Sequence, residues 1–488
     1  MLLLDLRPGT GPLYQRVYRE MKGAIHTGRL APGTRLPSTR ALASDLGLSR
    51  NTVMLAYEQL NAEGYLVSLG RAATAVAAAV PSLLPRRPTP HAQQARNVLR
   101  APVSASAQRL LKDAAMPPVL YGTQPGLRYD FRYGRPAVRD FPRETWRRLQ
   151  AACARRATPD AYAYASPAGH APLREAVSSY LRRARGLDCA AEQIIIVNGS
   201  QQAFDLAARV LVNPGDGVVV EEPFYPGITL PLEAAGARLI RVPVDADGLD
   251  TARLPAANAG VRLACVAPCH QFPTGVVMPL ERRLALLDWA ARANAWVIED
   301  DYISEFRYEG RPLEALQSLD RQGRVIHVGT FSKTLFPALR LAYVVLPTAL
   351  VRPFLAMKFV TDRFTETLAQ ETLTEFITSG QFERHLRRLG ARNAGRRRVL
   401  LEALHQLFGS RIEIAGRDAG VHVQVWLNDV APAAVGGLIA RAANVGVGLY
   451  SIAPYYARAP QRGGLLFGYA ALTEAEIRAG IRRLGALL

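Results

Sequence analysis

The chain has 488 residues, too many for one ordinary hydrophobic core, so two or more domains are expected. Hydrophobic residues make up 49% and charged residues 21%, as in soluble globular proteins, and no apolar run approaches the roughly eighteen residues of a membrane span. The net charge of +19 permits a polyanionic partner but does not locate it.

The cysteines and the first residues of the chain bear on its compartment. Cys153, Cys189, Cys265 and Cys269 are too few and too scattered for a disulfide framework, and no second Cys or His pair stands near the last two to complete a zinc site. The opening MLLLDLRPG has no basic leader before its short apolar run, unlike a secretory signal. We therefore expect a cytoplasmic protein without a membrane span or a bound metal.

Residues 1–76 are predicted to form a small helical domain. The apolar face of a first helix is made by residues spaced four apart: Leu13, Val17, Met21 and Ile25. Ser38 can cap a short second helix that Gly47 ends, and Ser49 can cap a third helix directly after it. The apolar face of that third helix is made by Val53, Ala56, Tyr57 and Leu60. Two helices joined by so short a turn indicate a helix-turn-helix.

The beginning of the third helix is polar, as in helices that contact DNA bases. Recognition helices meet base edges with their first turn, which here holds Arg50, Asn51 and Thr52. Gly64 and Gly70 then bracket a predicted hairpin. The predicted DNA-contacting residues are Arg40, Ser49, Arg50, Asn51, Thr52 and Arg71. A domain used only for packing or dimerisation is the alternative, but it leaves the agreement of capped turn, polar helix tip and basic hairpin unexplained.

The string LAPGTRLPSTRALASDLGLSRNTVMLAYEQLNAEGYL closely resembles the winged helix-turn-helix of the GntR superfamily. The resemblance implies double-stranded DNA as a partner. The predicted wing departs from the pattern, because GRAATAV stands where such families often have Gly-x-Gly-Thr followed by an aromatic residue. The resemblance therefore does not extend to a DNA contact by the wing.

The composition and the periodicity of the sequence change twice after this domain. Residues 77–125 are rich in Ala and Pro and lack a usable period, so they are predicted to be a linker. In residues 126–488, apolar β-type runs alternate with helical patterns, which predicts a large α/β domain around a mostly parallel sheet.

Five apolar runs of the large domain each end in polar or aromatic residues. They are IIIV before NGSQQAF, VVV before EEPFY, LACVA before PCHQFPTG, WVI before EDDY, and VIHV before GTFSK. Ligands of α/β sheets lie outside the carboxyl ends of the strands, so we expect these five clusters to meet in one pocket.

The contents of this pocket suit pyridoxal 5'-phosphate. An aldehyde cofactor needs an amine that forms a Schiff base, and the chain has only four lysines. Lys22 belongs to the helical module, Lys112 to the linker and Lys358 to an amphipathic stretch. Lys333 directly follows a strand, among hydroxyl groups suited to a phosphate, and is the predicted partner of the aldehyde.

The ring and the phosphate of such a cofactor need further groups. A carboxylate must hold the proton of the ring nitrogen, and Asp300 is favoured over Asp301 because strand alternation turns one of the two away. Tyr302 can reach the phenolic oxygen of the ring, and Tyr225 can stack on it. The candidates for the phosphate are Gly199, Ser200 and Gln201 at a helix start, with Thr330, Ser332 and Arg340 near the lysine.

The phrases FRYGRP, GSQQAFDL, PCHQFPTG, EDDYISEFRYEGRPL and HVGTFSKTLFPALRLAY resemble a fold-type I aminotransferase of class I. Joined to the N-terminal module, they resemble the MocR type of GntR regulator. This resemblance implies a homodimer, Lys333 as the Schiff-base lysine, Asp300 on the ring nitrogen and Tyr302 near the phenolic oxygen. It implies the same phosphate ligands and stacking tyrosine, with His270 or Gln271 lining the ring edge.

Departures from the enzyme pattern leave two hypotheses. Leu466 stands where aminotransferases carry the arginine that clamps the substrate carboxylate, and Phe272 replaces their asparagine. Ile303 stands where such regulators commonly have an aspartate, and Ala342 stands where they usually have a glycine. The first hypothesis is a transcription regulator that senses pyridoxal phosphate or an amino compound. The second is a working aminotransferase with an appended winged helix, in which Arg458 or Arg462 supplies a substitute clamp.

Overall fold

The computed structural model describes residues 11–70, 73–78, 103–113, 126–308, 314–416, 418–485 and 487. The chain divides after residue 102 into two compact units. No helix within the described ranges is long and apolar enough to cross a membrane. Arg71, one of the predicted DNA contacts, lies outside these ranges.

The first unit is a three-helix domain with a small sheet. Its helices are α1 (Leu13–His26), α2 (Thr39–Leu46) and α3 (Arg50–Ala62). Its strands are β1 (Arg35–Leu36), β2 (Leu66–Ser68) and β3 (Thr74–Val76), antiparallel in the order β1-β3-β2. The β2–β3 pair forms a hairpin after Gly64 as predicted, but the hairpin extends to Val76 instead of ending at Gly70. The unit is therefore a winged helix-turn-helix.

The local signals that build this unit act as predicted, with one exception. The Ser38 hydroxyl accepts a hydrogen bond from the Ala41 amide at 3.2 Å, and Gly47 ends α2 in the left-handed conformation with φ of 64°. Of the four residues predicted to line α1, three are buried but Leu13 is 47% exposed. Leu13 is the first residue of α1, and helical side chains lean toward the N-terminus, so it projects past the core.

The second unit contains twelve described helices and fourteen described strands. The helices are α4 (Ala105–Asp113), α5 (Arg143–Arg156), α6 (Ala171–Arg185), α7 (Ser200–Leu211), α8 (Pro226–Ala235), α9 (Leu280–Ala293), α10 (Leu316–Leu319), α11 (Thr348–Asp362), α12 (Thr367–Thr378), α13 (Gln381–Phe408), α14 (Val435–Asn444) and α15 (Glu474–Leu484). The strands are β4 (Tyr129–Asp130), β5 (Ile194–Val197), β6 (Gly217–Glu222), β7 (Arg238–Asp245), β8 (Gly248–Leu249), β9 (Val261–Val266), β10 (Trp296–Asp301), β11 (Val325–Thr330), β12 (Ala342–Val345), β13 (Ile412–Ala415), β14 (His422–Leu427), β15 (Val447–Gly448), β16 (Tyr450–Ser451) and β17 (Gly463–Gly468).

A mostly parallel sheet of eight strands forms the centre of this unit, as predicted. Its order is β5-β12-β11-β10-β9-β6-β7-β8, and only β12 and β8 run against the others. Successive residues of β5 enter cores on opposite faces, Ile195 on one side and Ile196 on the other. Because the five predicted strands run the same way, their polar carboxyl ends lie along one edge of the sheet.

A second, four-stranded antiparallel sheet of order β13-β14-β17-β16 packs with α13 and α15 around its own core. Two strands of this sheet, β14 and β17, come after all five predicted strands in the sequence. β4 pairs in parallel with β15, so the segment after residue 128 is anchored to the same region.

The interval 77–125, predicted as a linker, contains a helix that sequence reasoning missed. The Ser104 hydroxyl accepts a hydrogen bond from the Ala107 amide at 3.2 Å and so begins α4, which packs against α8. Arg109 of α4 donates to the carbonyl oxygens of Glu233 and Ala234, at 2.9 and 2.7 Å. This helix belongs to the second unit, whereas residues 79–102 and 114–125 lie outside the described ranges.

Candidate functional site

The tip of α3 presents two exposed polar side chains. Arg50 and Asn51 open the helix and both are exposed. Ser49 is committed to capping, since its hydroxyl accepts from the Thr52 amide at 3.2 Å and lies 2.8 Å from the Thr52 hydroxyl. Arg40 is exposed on α2. Among the predicted DNA contacts in the described part of this unit, three are therefore exposed and take no part in the helix cap: Arg40, Arg50 and Asn51.

A cavity of about 820 Å³ opens at the carboxyl edge of the large sheet. It is lined by most of the residues predicted for a cofactor site: Ser200, Gln201, Tyr225, Asp300, Tyr302, Thr330, Ser332, Lys333 and Arg340. All five predicted strand ends contribute: those of β5, β6, β10 and β11 and, through Phe272, that of β9.

Lys333 lies at the cavity wall with its amine held in place. Its Nζ donates a hydrogen bond to the Gly134 carbonyl oxygen at 2.7 Å. Burial lowers the pKa of Lys333 to about 8, although the nearby Asp300 carboxylate opposes the shift. A larger neutral fraction at neutral pH makes this amine a better nucleophile than an ordinary lysine.

Asp300 and Asp301, the two candidates for the ring nitrogen, point to opposite faces of the sheet. Asp300 lines the cavity, whereas the Asp301 carboxylate accepts from the buried Arg185 guanidinium at 2.8 Å. Burial, followed by the charge of Asp301, raises the pKa of Asp300 to about 7. A cationic ring N–H beside Asp300 would stabilise its ionised form, so this residue suits a protonated pyridine nitrogen.

The start of α7 forms a cradle suited to a phosphate. Gly199 precedes the helix with φ of 84°, and a Cβ built there would collide with the Arg340 guanidinium. Arg340 Nη2 donates to the Asn198 carbonyl oxygen at 2.9 Å and so lies over the first turn. The first amides of a twelve-residue helix, together with a guanidinium, attract an anion. The residues present therefore fit a phosphate group.

Two tyrosines lie where a flat ring needs them. The Tyr302 hydroxyl is buried and has no hydrogen-bond partner within the described part of the chain, although the residue lines the cavity. Tyr225 precedes α8 and packs on Gly227, where a Cβ would collide with its ring. Gln201 Nε2 donates to the Gly227 carbonyl oxygen at 2.7 Å and ties the start of α7 to α8. An unsatisfied hydroxyl and a fixed aromatic face both fit a pyridine ring with a phenolic oxygen.

The prediction that His270 or Gln271 lines the ring edge is not supported, because neither is on the cavity wall. Gln271 Nε2 donates to the Pro223 and Phe272 carbonyl oxygens, both at 2.7 Å, and its Oε1 accepts from the loop that follows. His270 is buried behind the wall, with its ring centroid 5.3 Å from that of His422. The loop folds back on itself, and this brings Phe272 instead to the cavity.

Several lining residues were missed by sequence reasoning. They are Asp130, Arg132, Tyr133, Arg135 and His422. Four of them fall in or beside FRYGRP, a phrase that supported the family resemblance without being given a chemical role. His422 begins β14, and no local motif marks it.

Leu466 is fully buried in β17 and belongs to an apolar cluster at the cavity wall. The buried members of this cluster, here called the aromatic wall, are Tyr133, Phe272, Tyr450, Ile452, Tyr455 and Leu466. Arg458 and Arg462 do not line the cavity, so the substitute clamp proposed for them is not supported. Arg462 lies over the Trp426 ring and pairs with Glu413 at 2.8 Å.

Comparison with known proteins agrees with both halves of this description. The family described as "Bacterial regulatory proteins, gntR family" matches residues 13–76, and "Aminotransferase class I and II" matches residues 137–484. The chain is 39% identical to the "Probable rhizopine catabolism regulatory protein MocR" of Rhizobium meliloti, over 99% of this chain and 95% of that protein. It is 36% identical to the "HTH-type transcriptional regulator TauR" of Rhodobacter capsulatus, over 88% and 86%.

Among solved structures, the second unit is similar to LysN, an alpha-aminoadipate aminotransferase from Thermus thermophilus complexed with N-(5'-phosphopyridoxyl)-L-leucine. The TM-score is 0.68 at 28% identity, over 78% of this chain and 94% of that one. The aminotransferase fold and the regulator relatives imply pyridoxal 5'-phosphate as the cofactor, and the cavity residues fit it. The chain belongs to the MocR-type transcriptional regulators, in which a GntR-family DNA-binding domain is joined to a class I and II aminotransferase domain.

Proposed function

We infer that the second unit is a sensor, in which pyridoxal phosphate or an amino compound bound with it changes how the first unit binds DNA. The observation that carries this inference is the combination at one cavity of a retained lysine with Leu466 in place of the carboxylate clamp. A regulator needs a ligand that binds reversibly, whereas transamination needs a substrate oriented for proton transfer. Because its proposed partner is operator DNA, the proposed location of the protein is the cytoplasm, where a bacterial chromosome lies.

The proposed roles follow from the chemistry of each group. The cofactor, when bound, supplies an electrophilic carbon and an electron-withdrawing ring. Lys333 would bond to that carbon, Asp300 would keep the ring nitrogen protonated, and Tyr302 would donate to the phenolic oxygen. Tyr225 would stack on the ring. The residues that would hold the phosphate are Gly199, Ser200, Gln201, Thr330, Ser332 and Arg340.

A homodimer reading two operator half-sites is the proposed DNA-bound form. Each α3 offers one polar tip, and the two-fold repetition of such helices is how winged and related domains obtain specificity. Two recognition helices meet the same face of DNA when their half-sites are a whole number of turns apart, about 34 Å each. Arg50 and Asn51 are the proposed base-reading residues because both are exposed at the start of the helix.

The proposed route out of the cavity is α8. This helix begins next to Tyr225 at the cavity wall and ends at Ala235, where Arg109 of α4 donates to its last carbonyl oxygens. Gln201 fixes its first turn at the other end. A shift of α8 at Tyr225 would be passed to α4, the first described helix of the second unit in sequence.

Lys333→Ala is expected to abolish the yellow absorption of the purified protein, because no other described lysine lines the cavity. Borohydride should fix the cofactor to Lys333 in the native protein, as found by peptide mapping. Lys22→Ala, a change in the first unit, should keep the absorption band. An adduct on any other lysine would contradict the assignment.

Gly199→Ala is expected to weaken cofactor binding by about 10- to 100-fold, because the new Cβ displaces the Arg340 guanidinium and a charged hydrogen bond is worth roughly 1.5–3 kcal/mol. Gly215→Ala is the matched control: its φ of 93° gives similar backbone strain, but open space surrounds the new methyl group. Equilibrium titration of the apo proteins with pyridoxal phosphate measures both. Equal losses in the two variants would mean that strain alone, and not the cradle, is responsible.

Arg50→Ala distinguishes base reading from phosphate contact. If Arg50 reads a guanine, the change should cost about 1–3 kcal/mol and relax specificity at one base pair. If it contacts only a phosphate, all sequences should weaken alike and the salt slope should fall by about 0.9. Competition binding with single-base operator variants separates the two, and Lys333→Ala should leave the base preference intact. Binding of upstream DNA no better than random DNA would contradict the regulator proposal.

Arg109→Ala is expected to uncouple the two functions without damaging either. The cofactor absorption band and the DNA affinity of the apo protein should stay unchanged, while the change in DNA affinity caused by pyridoxal phosphate should fall by half or more. Leu111→Ala, an exposed position on the same helix, should keep the full change. A full response in Arg109→Ala would show that the signal leaves the second unit by another route.

A further inference from the structure

A fully buried lysine that does not line the cavity, Lys358, is the centre of a second polar cluster. It lies one turn before the end of α11 and has no exposed surface. Its Nζ donates to both carboxylate oxygens of Asp362, at 2.8 and 2.9 Å, and to the Thr365 hydroxyl at 3.1 Å. The Thr365 hydroxyl donates in turn to the Ile196 carbonyl oxygen of β5 at 3.4 Å. An ammonium group has three N–H donors, and three acceptors surround this one.

Asp362 connects this cluster to the start of α7, where the phosphate cradle lies. Its Oδ2 accepts from the Asn198 side-chain amide at 2.6 Å and from the Gln202 side-chain amide at 2.8 Å. Gln202 Oε1 accepts from the Asn198 backbone amide at 2.7 Å, so these two residues are also bonded to each other. The five residues Asn198, Gln202, Lys358, Asp362 and Thr365 are here called the Asp362 network.

The Asp362 network holds the residue that precedes the cradle glycine. The Asn198 side chain donates to Asp362, and its backbone amide donates to Gln202. Its carbonyl oxygen accepts from Arg340 Nη2 at 2.9 Å. Asn198 is bonded directly to Gly199, so its orientation sets the direction of the first amides of α7. A helix start binds an anion well when its free amides are held toward one point.

The position of the Asp362 carboxylate depends on Lys358. Burial lowers the pKa of Lys358, and the hydrogen bond and charge of Asp362 oppose that shift. The Asp362 side chain is 19% exposed, so without the lysine its carboxylate can turn toward water and leave the two side-chain amides without their acceptor. Removing one partner of a buried ion pair also leaves the other charge uncompensated.

We propose that Lys358 and Asp362 are positioning residues that hold the start of α7 in the conformation that binds the cofactor phosphate. They act through Asn198 and Gln202 and not by contact with the phosphate. This inference rests on the proposed function, in which pyridoxal phosphate is bound with its phosphate at this helix start. It extends the phosphate site from the cavity wall to the end of α11.

Asp362→Ala removes the acceptor that Asn198 and Gln202 share. Equilibrium titration of the full-length apo protein, followed by the cofactor absorption band, compares pyridoxal 5'-phosphate with pyridoxal, which lacks the phosphate. The variant is expected to bind pyridoxal phosphate at least about tenfold more weakly than the native protein and pyridoxal within about threefold, because only the phosphate needs the cradle. Asp205→Asn changes a 44% exposed carboxylate on the same helix and should keep both affinities.

The two ligands distinguish a local effect from a general one. Equal weakening of pyridoxal and pyridoxal phosphate binding in Asp362→Ala would mean that the whole cavity is disturbed, and it overturns the inference. Unchanged binding of pyridoxal phosphate overturns it as well.

Lys358→Met separates positioning from a direct effect of charge on the phosphate. If charge alone mattered, loss of the lysine would weaken binding of the phosphate anion and loss of the aspartate would strengthen it. The inference predicts weaker binding in both variants. The double variant Lys358→Met/Asp362→Ala should lose less than the product of the two separate fold-changes, because both break the same network. Tighter binding of pyridoxal phosphate by Asp362→Ala overturns the inference.

Gln202→Met removes one side-chain amide from the network and leaves the Lys358–Asp362 pair intact, so it tests the inference if Asp362→Ala does not fold, as judged by circular dichroism. It should weaken pyridoxal phosphate binding by about threefold or more and leave pyridoxal binding unchanged. Native affinity for pyridoxal phosphate in this variant overturns the inference. A native protein that develops no absorption band with pyridoxal phosphate refutes the proposed function and this inference with it, whereas a normal band without any phosphate-selective loss refutes only the inference.

Discussion

The parallel course of five strands is the constraint on which the rest of the second unit depends. Because β5, β6, β9, β10 and β11 point the same way, each ends at one edge of the sheet, and residues 141 positions apart in sequence (199 and 340) meet there. Gly199 and Arg340 illustrate the closeness: they follow strands at opposite ends of this set in sequence, yet only a glycine leaves room for the guanidinium. Nothing in either local segment requires such contact, and only the sheet supplies it.

Strand alternation gives the adjacent residues Asp300 and Asp301 different surroundings and therefore different pKa values. Asp300 faces the cavity, and Asp301 faces the opposite side, where Arg185 and His327 are buried. Burial alone would raise the pKa of Asp301, but Arg185 and then His327 outweigh it and lower the pKa. Asp301 therefore stays ionised and its charge raises the pKa of Asp300. The cavity carboxylate thus gains most from a cationic partner, which a protonated ring nitrogen supplies.

The sequence predicts these features unevenly, and the reasons are physical. Periodicity and caps identify the winged helix-turn-helix, because those signals act within a few residues. The motif-bearing strand ends predict Lys333 and Asp300 at the cavity for the same reason, and both line it. His422 and the aromatic wall come from β14 and β17, whose approach to the cavity depends on the packing of a second sheet. Gln271 does not line the cavity, because its side-chain amide hydrogen-bonds to loop carbonyl oxygens that strand patterns do not describe.

Retaining the lysine while losing the clamp changes what the cavity is suited to do. A bidentate clamp fixes the substrate so that one bond of its amino-bearing carbon is aligned with the ring, and that orientation supplies much of the rate of catalysis. An aromatic wall holds a ligand without fixing its rotation, so it contributes affinity and little acceleration. In the proposed route, a ligand that is bound but not consumed would hold Tyr225 and α8 in one arrangement for its full residence time. Control of transcription needs a ligand that stays bound long enough to change DNA binding, and it does not need the ligand to be converted.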